Sequence, residues 1–367
     1  MRIAYLVFWD LGQESGVLKK IAGQMRAWSG QGHMAKLFAL SPNEQKWAGI
    51  QDLDTEIVPA GNALARFWRA AALARKVLAW QPDLVYLRYA TYYPPYERLM
   101  MAVPTVLEIN TDDLAESRLT LSPLRYLYHR LTRHRLRRRA AGMVYVSGEL
   151  AQRSTSTGAP WVVIANGIDL SAFPELPAPD NPTPRLVFLG VPWNSGDIRS
   201  NWHGYDKLAG LAAAFPAWEF DLIGISARAT TLAFPPNVHL HGYLTKQEYE
   251  SILARADAGI GTLALHRKRM DEASPLKVRE YLACGLPVII AYQDTDFPEP
   301  ASFVLQLPNE EYNLQRSQAE IERFVLRWQG FRVHRESILH LDVNQKEKQR
   351  LAFFERILGE EQRPPAG

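Results

Sequence analysis

Short apolar runs alternate with amphipathic stretches of helical period along nearly the whole chain, and this alternation most limits what it can fold into. Runs at Arg2–Phe8, His33–Leu40, Leu84–Leu87, Thr105–Ile109, Met143–Val146 and Val162–Ala165 read as strands. Helical patterns lie between them, notably Ser15–Gly30, Ala63–Trp80 and Ser122–Ala140. Strands and helices in strict alternation predict a parallel sheet covered by helices on both faces.

The pattern then stops and restarts. Phe173–Pro184 contains Pro174, Pro177, Pro179, Pro182 and Pro184, an extended tract suited to a linker. Beyond it Arg185–Leu189, Glu219–Ile223, Val238–His241, Ala258–Thr262 and Val288–Ala291 read as strands. Thr245 and Glu248 form a capping box that opens a helix toward Arg255. Asn344–Leu358 is a last helical pattern, and Arg363–Gly367 reads as a tail. A chain of 367 residues exceeds what one core usually organises, roughly 250–300 residues. The expected division is an N-terminal Rossmann-like domain at 1–168, a linker at 169–184, a C-terminal Rossmann-like domain at 185–343, and a final helix and tail at 344–367. Two such domains in series bind ligands in a cleft at the carboxyl ends of their strands.

Composition narrows the function classes. The formal net charge is only +3, too near neutral to point to nucleic acid. The single cysteine, Cys284, excludes an internal disulfide and fits a reducing compartment. Ile3–Trp9 ends at Asp10 and leads into Gly12, so it reads as a buried strand and not a signal peptide. No run approaches the ~18 apolar residues of a membrane-spanning helix. The expectation is a cytoplasmic chain that rests at most on the inner face of the plasma membrane.

Chemistry concentrates after the strand Ala258–Thr262. A polar loop, Leu263–Ala273, leads to Ser274 and Pro275, a good N-cap followed by a good first helical residue. The helix runs to about Ala283 and stops at Gly285, and Pro287 opens the next buried strand. A helix N-terminus at the carboxyl edge of a parallel sheet presents free N–H groups and a positive dipole end to an anion. Lys277 in the first turn is unfavourable for the bare helix and sensible beside a phosphate. Glu272 precedes the cap, and Glu280 lies on roughly the same face as Lys277. An ordinary capped helix with surface carboxylates is the simpler alternative.

Glu272 and Glu280, within EASPLKVREYLACGLPVI, resemble the signature of retaining family-4 glycosyltransferases of GT-B fold. The resemblance implies that Glu272 faces a donor sugar, that Ser274, Pro275 and Leu276 bring backbone to a diphosphate, and that Glu280 takes ribose hydroxyls. Asn166-Gly167-Ile168-Asp169 is similar to the family's turn at the domain junction, though a plain Asn-Gly turn fits as well. Phe188-Leu189-Gly190, then Trp202 to Lys207, is similar to the loop that reaches the donor phosphates. Phe220–Gly224 and Asn237–Tyr243, including Gly242, are similar to the strands that cradle the base. Gly12–Val17 stands where the family has a glycine-rich turn, which implies that Gly16 and Val17 approach the donor.

Three positions depart from the family pattern. Many relatives hold the diphosphate with an arginine and a lysine where this chain has Val191 and His203, leaving Arg199, Lys207 and Lys277 as the candidate cations. Where relatives often carry a histidine near the transferred sugar, this chain has Asn110, which can bond a hydroxyl but cannot transfer a proton. The triplets at Asp52–Asp54 and Asp294–Asp296 have metal-binding spacing but read as surface loops. No metal or other cofactor is expected.

Between Glu116 and Glu149 there is no carboxylate, while eight arginines occur. Leu124, Leu127, Tyr128 and Leu131 give this helix an apolar stripe. With Arg125, Arg130, Arg133 and Arg137 it fits an anionic membrane surface or acceptor, or a solvated helix whose arginines meet carboxylates elsewhere. The tyrosine-rich Arg88–Tyr93 lines an acceptor cleft or caps the core. The functional expectation is a metal-independent, retaining transferase that moves a sugar from a UDP- or GDP-sugar to a cell-envelope glycan or lipid-linked acceptor, with no nucleic-acid partner. The competing readings are a nucleotide-sugar epimerase of the same fold and a sugar-nucleotide or glycan-binding protein without activity.

Overall fold

The first apolar run forms β1 (Arg2–Phe8), whose interior residues are all buried. A strand in a parallel sheet is covered on both faces, so its sequence shows a continuous apolar run. The computed structural model describes residues 1–89, 91–153, 158–190, 201–227, 230 and 232–361.

Along the first part of the chain follow α1 (Gly16–Gly30), β2 (Met34–Ser41), β3 (Thr55–Pro59), α2 (Ala63–Ala79), β4 (Leu84–Arg88), α3 (Pro94–Ala102) and β5 (Thr105–Ile109). Then come α4 (Asp113–Thr120), α5 (Pro123–Arg139), β6 (Gly142–Tyr145), α6 (Gly148–Gln152) and β7 (Trp161–Val163). The strands form one sheet in the order β3-β2-β1-β4-β5-β6-β7, and every neighbouring pair is parallel. Sequence periodicity misses β3, α3, α4 and α6. In β3 only Val58 is fully buried, so an edge strand leaves little apolar signal.

The second part holds β8 (Arg185–Leu189), α7 (Tyr205–Ala214), β9 (Glu219–Ile223), β10 (Val238–Gly242), α8 (Lys246–Arg255), β11 (Ala258–Ile260), β12 (Glu272–Ala273) and α9 (Leu276–Ala283). It ends with β13 (Val288–Ile290), β14 (Gln293–Asp294), β15 (Val304–Gln306), α10 (Asn313–Arg316) and α11 (Gln318–Trp328). Its main sheet runs β10-β9-β8-β11-β13-β15, again wholly parallel. β12 and β14 pair separately. The capping box on α8 forms as expected, Thr245 and Glu248 each serving the other's backbone.

Two α/β units result, each with a parallel sheet, as the alternation predicts. One comprises Met1–Gly167 and the chain from Val343 onward, the other Ile168–Asp342. The last helix, α12 (Val343–Glu361), therefore belongs to the first unit. Its Glu347 accepts from Trp28 Nε1 at 2.7 Å, its Arg350 donates to Tyr86 Oη at 2.9 Å, and Phe354 packs on both aromatic rings. A side chain of that size contributes about 1.5–3 kcal/mol on burial, which explains why α12 docks on the first core. Among the described residues, no helix is long and apolar enough to cross a membrane.

Candidate functional site

In the second unit, β8 lies between β9 and β11, which is where the strand order reverses. Ligands of doubly wound sheets bind outside the carboxyl ends of strands at that point. Glycines crowd there. Gly190 follows β8, and its amide donates to Ile223 O at 2.8 Å. Gly224 has φ +93°, and a Cβ on it would fall 2.4 Å from Gly190 O. Only glycine allows two strand ends to approach so closely. Gly242 closes β10 with φ +69° and donates to Ile225 O, and Tyr243 beyond it is 45% exposed.

After β11 the chain reaches Glu272 on β12, paired in register with Gln293 of β14. Here the structure corrects a sequence expectation. Ser274 does not cap α9; Pro275 stands at the N-cap and the helix begins at Leu276. The Ser274 hydroxyl instead accepts from Arg279 at 2.8 Å. Arg279 is fully buried, forks onto both oxygens of Asp294 at 2.8 Å and reaches Asp296 at 2.9 Å. The acidic triplet Asp294–Asp296 is therefore a buried anchor and not a surface loop. Sequence reasoning missed Arg279, because its partners lie on a different strand. The triplet at Asp52–Asp54 does lie at the surface, paired with Arg26 and Lys36.

Lys277 is partly exposed as a residue, but its Nζ is buried with no hydrogen-bond partner among the described residues, 3.8 Å from the centre of the Phe188 ring. Burial lowers its pKa from the lysine value to about 7. His203 Nδ1 is likewise buried and has no partner among the described residues, and its ring packs against Tyr205. Burial, with Lys277 and Lys268 nearby, holds its pKa well below the usual histidine range, so it is neutral. Glu280 is buried and accepts from Tyr249 Oη of α8 at 2.5 Å. Tyr281 ties α9 down by accepting from the Leu189 amide and donating to Ile260 O. Neither tyrosine was legible as a site residue, since each acts through another element.

Lys207 does not serve as a free cation. Its Nζ donates to Glu310 O at 2.7 Å and Asn313 Oδ1 at 3.0 Å, which fixes α7 to the start of α10 and the turn before it. Arg199 and Val191 lie outside the described residues, as do Ala90 and the tail Arg363–Gly367.

In the first unit, Gly16 and Val17 open α1, with Ser15 as N-cap accepting from the Leu18 amide. Asn110, just after β5, accepts at Oδ1 from Lys20 Nζ at 2.8 Å. Lys20 also pairs with Glu108 at 2.7 Å, while Arg88 and Tyr5 donate to the other Glu108 oxygen at 3.2 and 3.1 Å. Burial alone would raise the Glu108 pKa, but Lys20, Arg88 and Arg350 hold it far below the carboxylate range. Burial lowers Lys20 to about 8 against the opposing pull of Glu108.

Residues 17–172, nearly the whole of this first unit before α12, match the family described as Glycosyltransferase Family 4. The first unit is a family-4 glycosyltransferase domain. The chain is also similar in fold to solved glycosyltransferases. Anabaena HepE, solved with UDP and glucose, has TM-score 0.64 at 15% identity, over 97% of this chain and 100% of that one. Sucrose-phosphate synthase from Thermosynechococcus elongatus has TM-score 0.64 at 12% identity, over 98% and 97%. An α-glucosyltransferase solved with UDP and a 13-mer DNA has TM-score 0.64 at 12% identity, over 97% and 100%. No curated protein matches the chain in sequence.

The arginine helix α5 of this family-4 domain departs from expectation. Arg133 turns inward, donating to both oxygens of Asp113 at 2.7 and 2.6 Å, and Arg137 joins at 2.8 Å. His129 Nε2 lies 2.7 Å from the same carboxylate. Burial would raise the Asp113 pKa, but His129, Arg133 and Arg137 hold it well below the usual range. Arg133 and Arg137 are thus both paired with a buried carboxylate. Arg125 and Arg130 remain exposed. The apolar stripe does not pack inward either: Leu124, Leu127 and Leu131 are 82%, 50% and 62% exposed.

Proposed function

We propose that the protein is a retaining, metal-independent glycosyltransferase that moves a sugar from a UDP- or GDP-sugar to a cell-envelope glycan or lipid-linked acceptor. The observation that carries this reading is Lys277: a buried Nζ without a hydrogen-bond partner among the described residues, in the first turn of α9, between Glu272 and the buried Glu280. An uncompensated buried cation is unfavourable until an anion arrives.

Departure of the nucleotide places negative charge on the diphosphate while positive charge grows at the anomeric carbon. The protonated Lys277 and the first-turn amides of α9 stabilise the leaving phosphate. Neutral His203 offers one ring nitrogen as donor without adding charge. Glu280, oriented by Tyr249, accepts from ribose hydroxyls, and Glu272 accepts from hydroxyls of the sugar. In the family-4 domain, Lys20 occupies the Asn110 oxygen, which leaves the Asn110 amide hydrogens to donate to a sugar hydroxyl oxygen. Retention follows if the acceptor attacks from the face the phosphate leaves, the phosphate taking the acceptor proton.

The test is thermal melting with a panel of sugar nucleotides, followed by nucleotide release with acceptor. UDP is the first nucleotide to try, given the similar structures solved with it. The reading requires a melting shift, release that survives EDTA, and a Glu272→Ala variant that melts normally but releases nucleotide about 10²–10³-fold more slowly. Donor isomerised without acceptor identifies an epimerase. Binding without release identifies a binding protein.

A second proposal rests on α5. Its exposed leucines beside Arg125 and Arg130 suit an interfacial helix on anionic lipid. Co-sedimentation with phosphatidylglycerol vesicles, lost at high salt and in Leu127→Glu, is the expected result. Equal sedimentation with neutral vesicles overturns it.

A further inference from the structure

In the family-4 domain the strand order reverses between β1 and β4. Outside their carboxyl ends lies a cavity of about 310 Å³ that includes Trp9, Arg66, Arg88, Tyr93 and Asn110 in its lining. A neighbouring hollow of about 420 Å³ shares Phe8, Trp9 and Arg66 with it, so Arg66 stands in the wall common to both.

The charges around this cavity are unequal. Glu108 is faced by Lys20 and Arg88, and Asp113 by Arg133 and Arg137. Each buried carboxylate therefore has two cations, and each cluster retains excess positive charge. Arg66 adds to it, since its guanidinium makes no ion pair with any described residue and its buried Nε has no hydrogen-bond partner. The remaining carboxylates offset this only in part. Glu116 lines the cavity, while in the neighbouring hollow Glu14 is paired with Lys19 at 3.0 Å and Asp10 accepts from the Gly12 amide at 2.9 Å. Trp9, which also lines the cavity with Arg88 over its ring, is 37% exposed and offers an apolar ring of the kind on which a sugar stacks.

We infer that this cavity binds an acidic saccharide, with a carboxylate or phosphate on the sugar forked by Arg66, the sugar ring on Trp9 and a hydroxyl at Asn110. Planar, bidentate recognition of an oxyanion suits arginine. As an assignment of the acceptor class, it rests on the glycosyltransferase reading above. The cavity's preference for acidic sugars is independent of the donor.

The experiment titrates the full chain with glucuronic acid, glucose 6-phosphate, glucose and inorganic phosphate, by ligand-observed NMR and calorimetry. Both acidic sugars should bind at least tenfold more tightly than glucose, and glucose 6-phosphate more tightly than phosphate alone. Arg66→Gln should erase that preference, and Arg66→Lys should retain part of it, with melting temperature and UDP affinity unchanged in both. Glucose binding as well as the acidic sugars, phosphate alone binding as well as its sugar ester, or an intact preference in Arg66→Gln overturns the inference. Loss of UDP binding with the acidic-sugar preference intact would instead sink the glycosyltransferase reading and leave the cavity's specificity standing.

Discussion

The two units treat most of their buried positive charge alike, and the second unit departs from that rule at Lys277. In the family-4 domain, Lys20 and Arg88 share Glu108, and Arg133 and Arg137 share Asp113. In the second unit Arg279 follows the same rule, held by Asp294 and Asp296. Lys277, only two residues away on α9, breaks it, having a ring beneath its ammonium and no carboxylate partner among the described residues. A paired buried cation holds structure together. An unpaired one is a defect that selection keeps when a ligand completes it. Under the proposed function, the contrast separates residues that keep the fold from one that a donor phosphate would complete.

The largest effect should come from breaking a pair. Asp113→Asn leaves Arg133, Arg137 and His129 around a neutral amide, and should lower stability by about 3 kcal/mol in urea unfolding. Because the Asp113 pKa is depressed in the fold, its contribution is present above the unfolded carboxyl value and disappears as pH falls through the folded one. The wild type should therefore lose stability in acid more steeply than Asp113→Asn. An unchanged midpoint would mean that the cluster is not structural.

Lys277→Met tests the other half, with the opposite sign. It should raise stability by about 1–2 kcal/mol at neutral pH while weakening UDP binding about tenfold or more. The folded lysine titrates near 7 and the unfolded one near 10.5. The destabilisation is therefore absent above about 10.5, grows as pH falls toward 7, and is complete below that. A bound diphosphate raises the folded pKa, so wild-type UDP affinity should fall as pH rises above 7. Lys277→Arg should flatten that slope, because arginine stays charged. A destabilised methionine variant would place Lys277 among the structural residues and remove the contrast.

The smallest effect concerns orientation. Tyr249→Phe removes the hydrogen bond to Glu280 and should raise the donor KM about fivefold with kcat nearly unchanged, a loss of about 1 kcal/mol. An equal fall in kcat would show that Glu280 acts in the transition state and not only in binding.

Read from the sequence alone, the strand–helix alternation determined both parallel sheets, because a strand buried on two faces must be a continuous apolar run. A helix after β11 with Glu272, Lys277 and Glu280 around its start also follows from local chemistry, though its cap does not. What periodicity could not show were elements with weak apolar signals, such as β3, and every contact between distant segments. The tertiary structure alone decided that Ser274 bonds Arg279 and does not cap the helix, that Tyr249 orients Glu280, and that Lys207 is spent on Asn313. It alone turned Arg133 and Arg137 inward while leaving Leu124, Leu127 and Leu131 in solvent. Local propensity depends on residues close in the chain, whereas pairing of a buried charge depends on which carboxylate folding brings within about 3 Å, and that carboxylate can lie anywhere in the sequence.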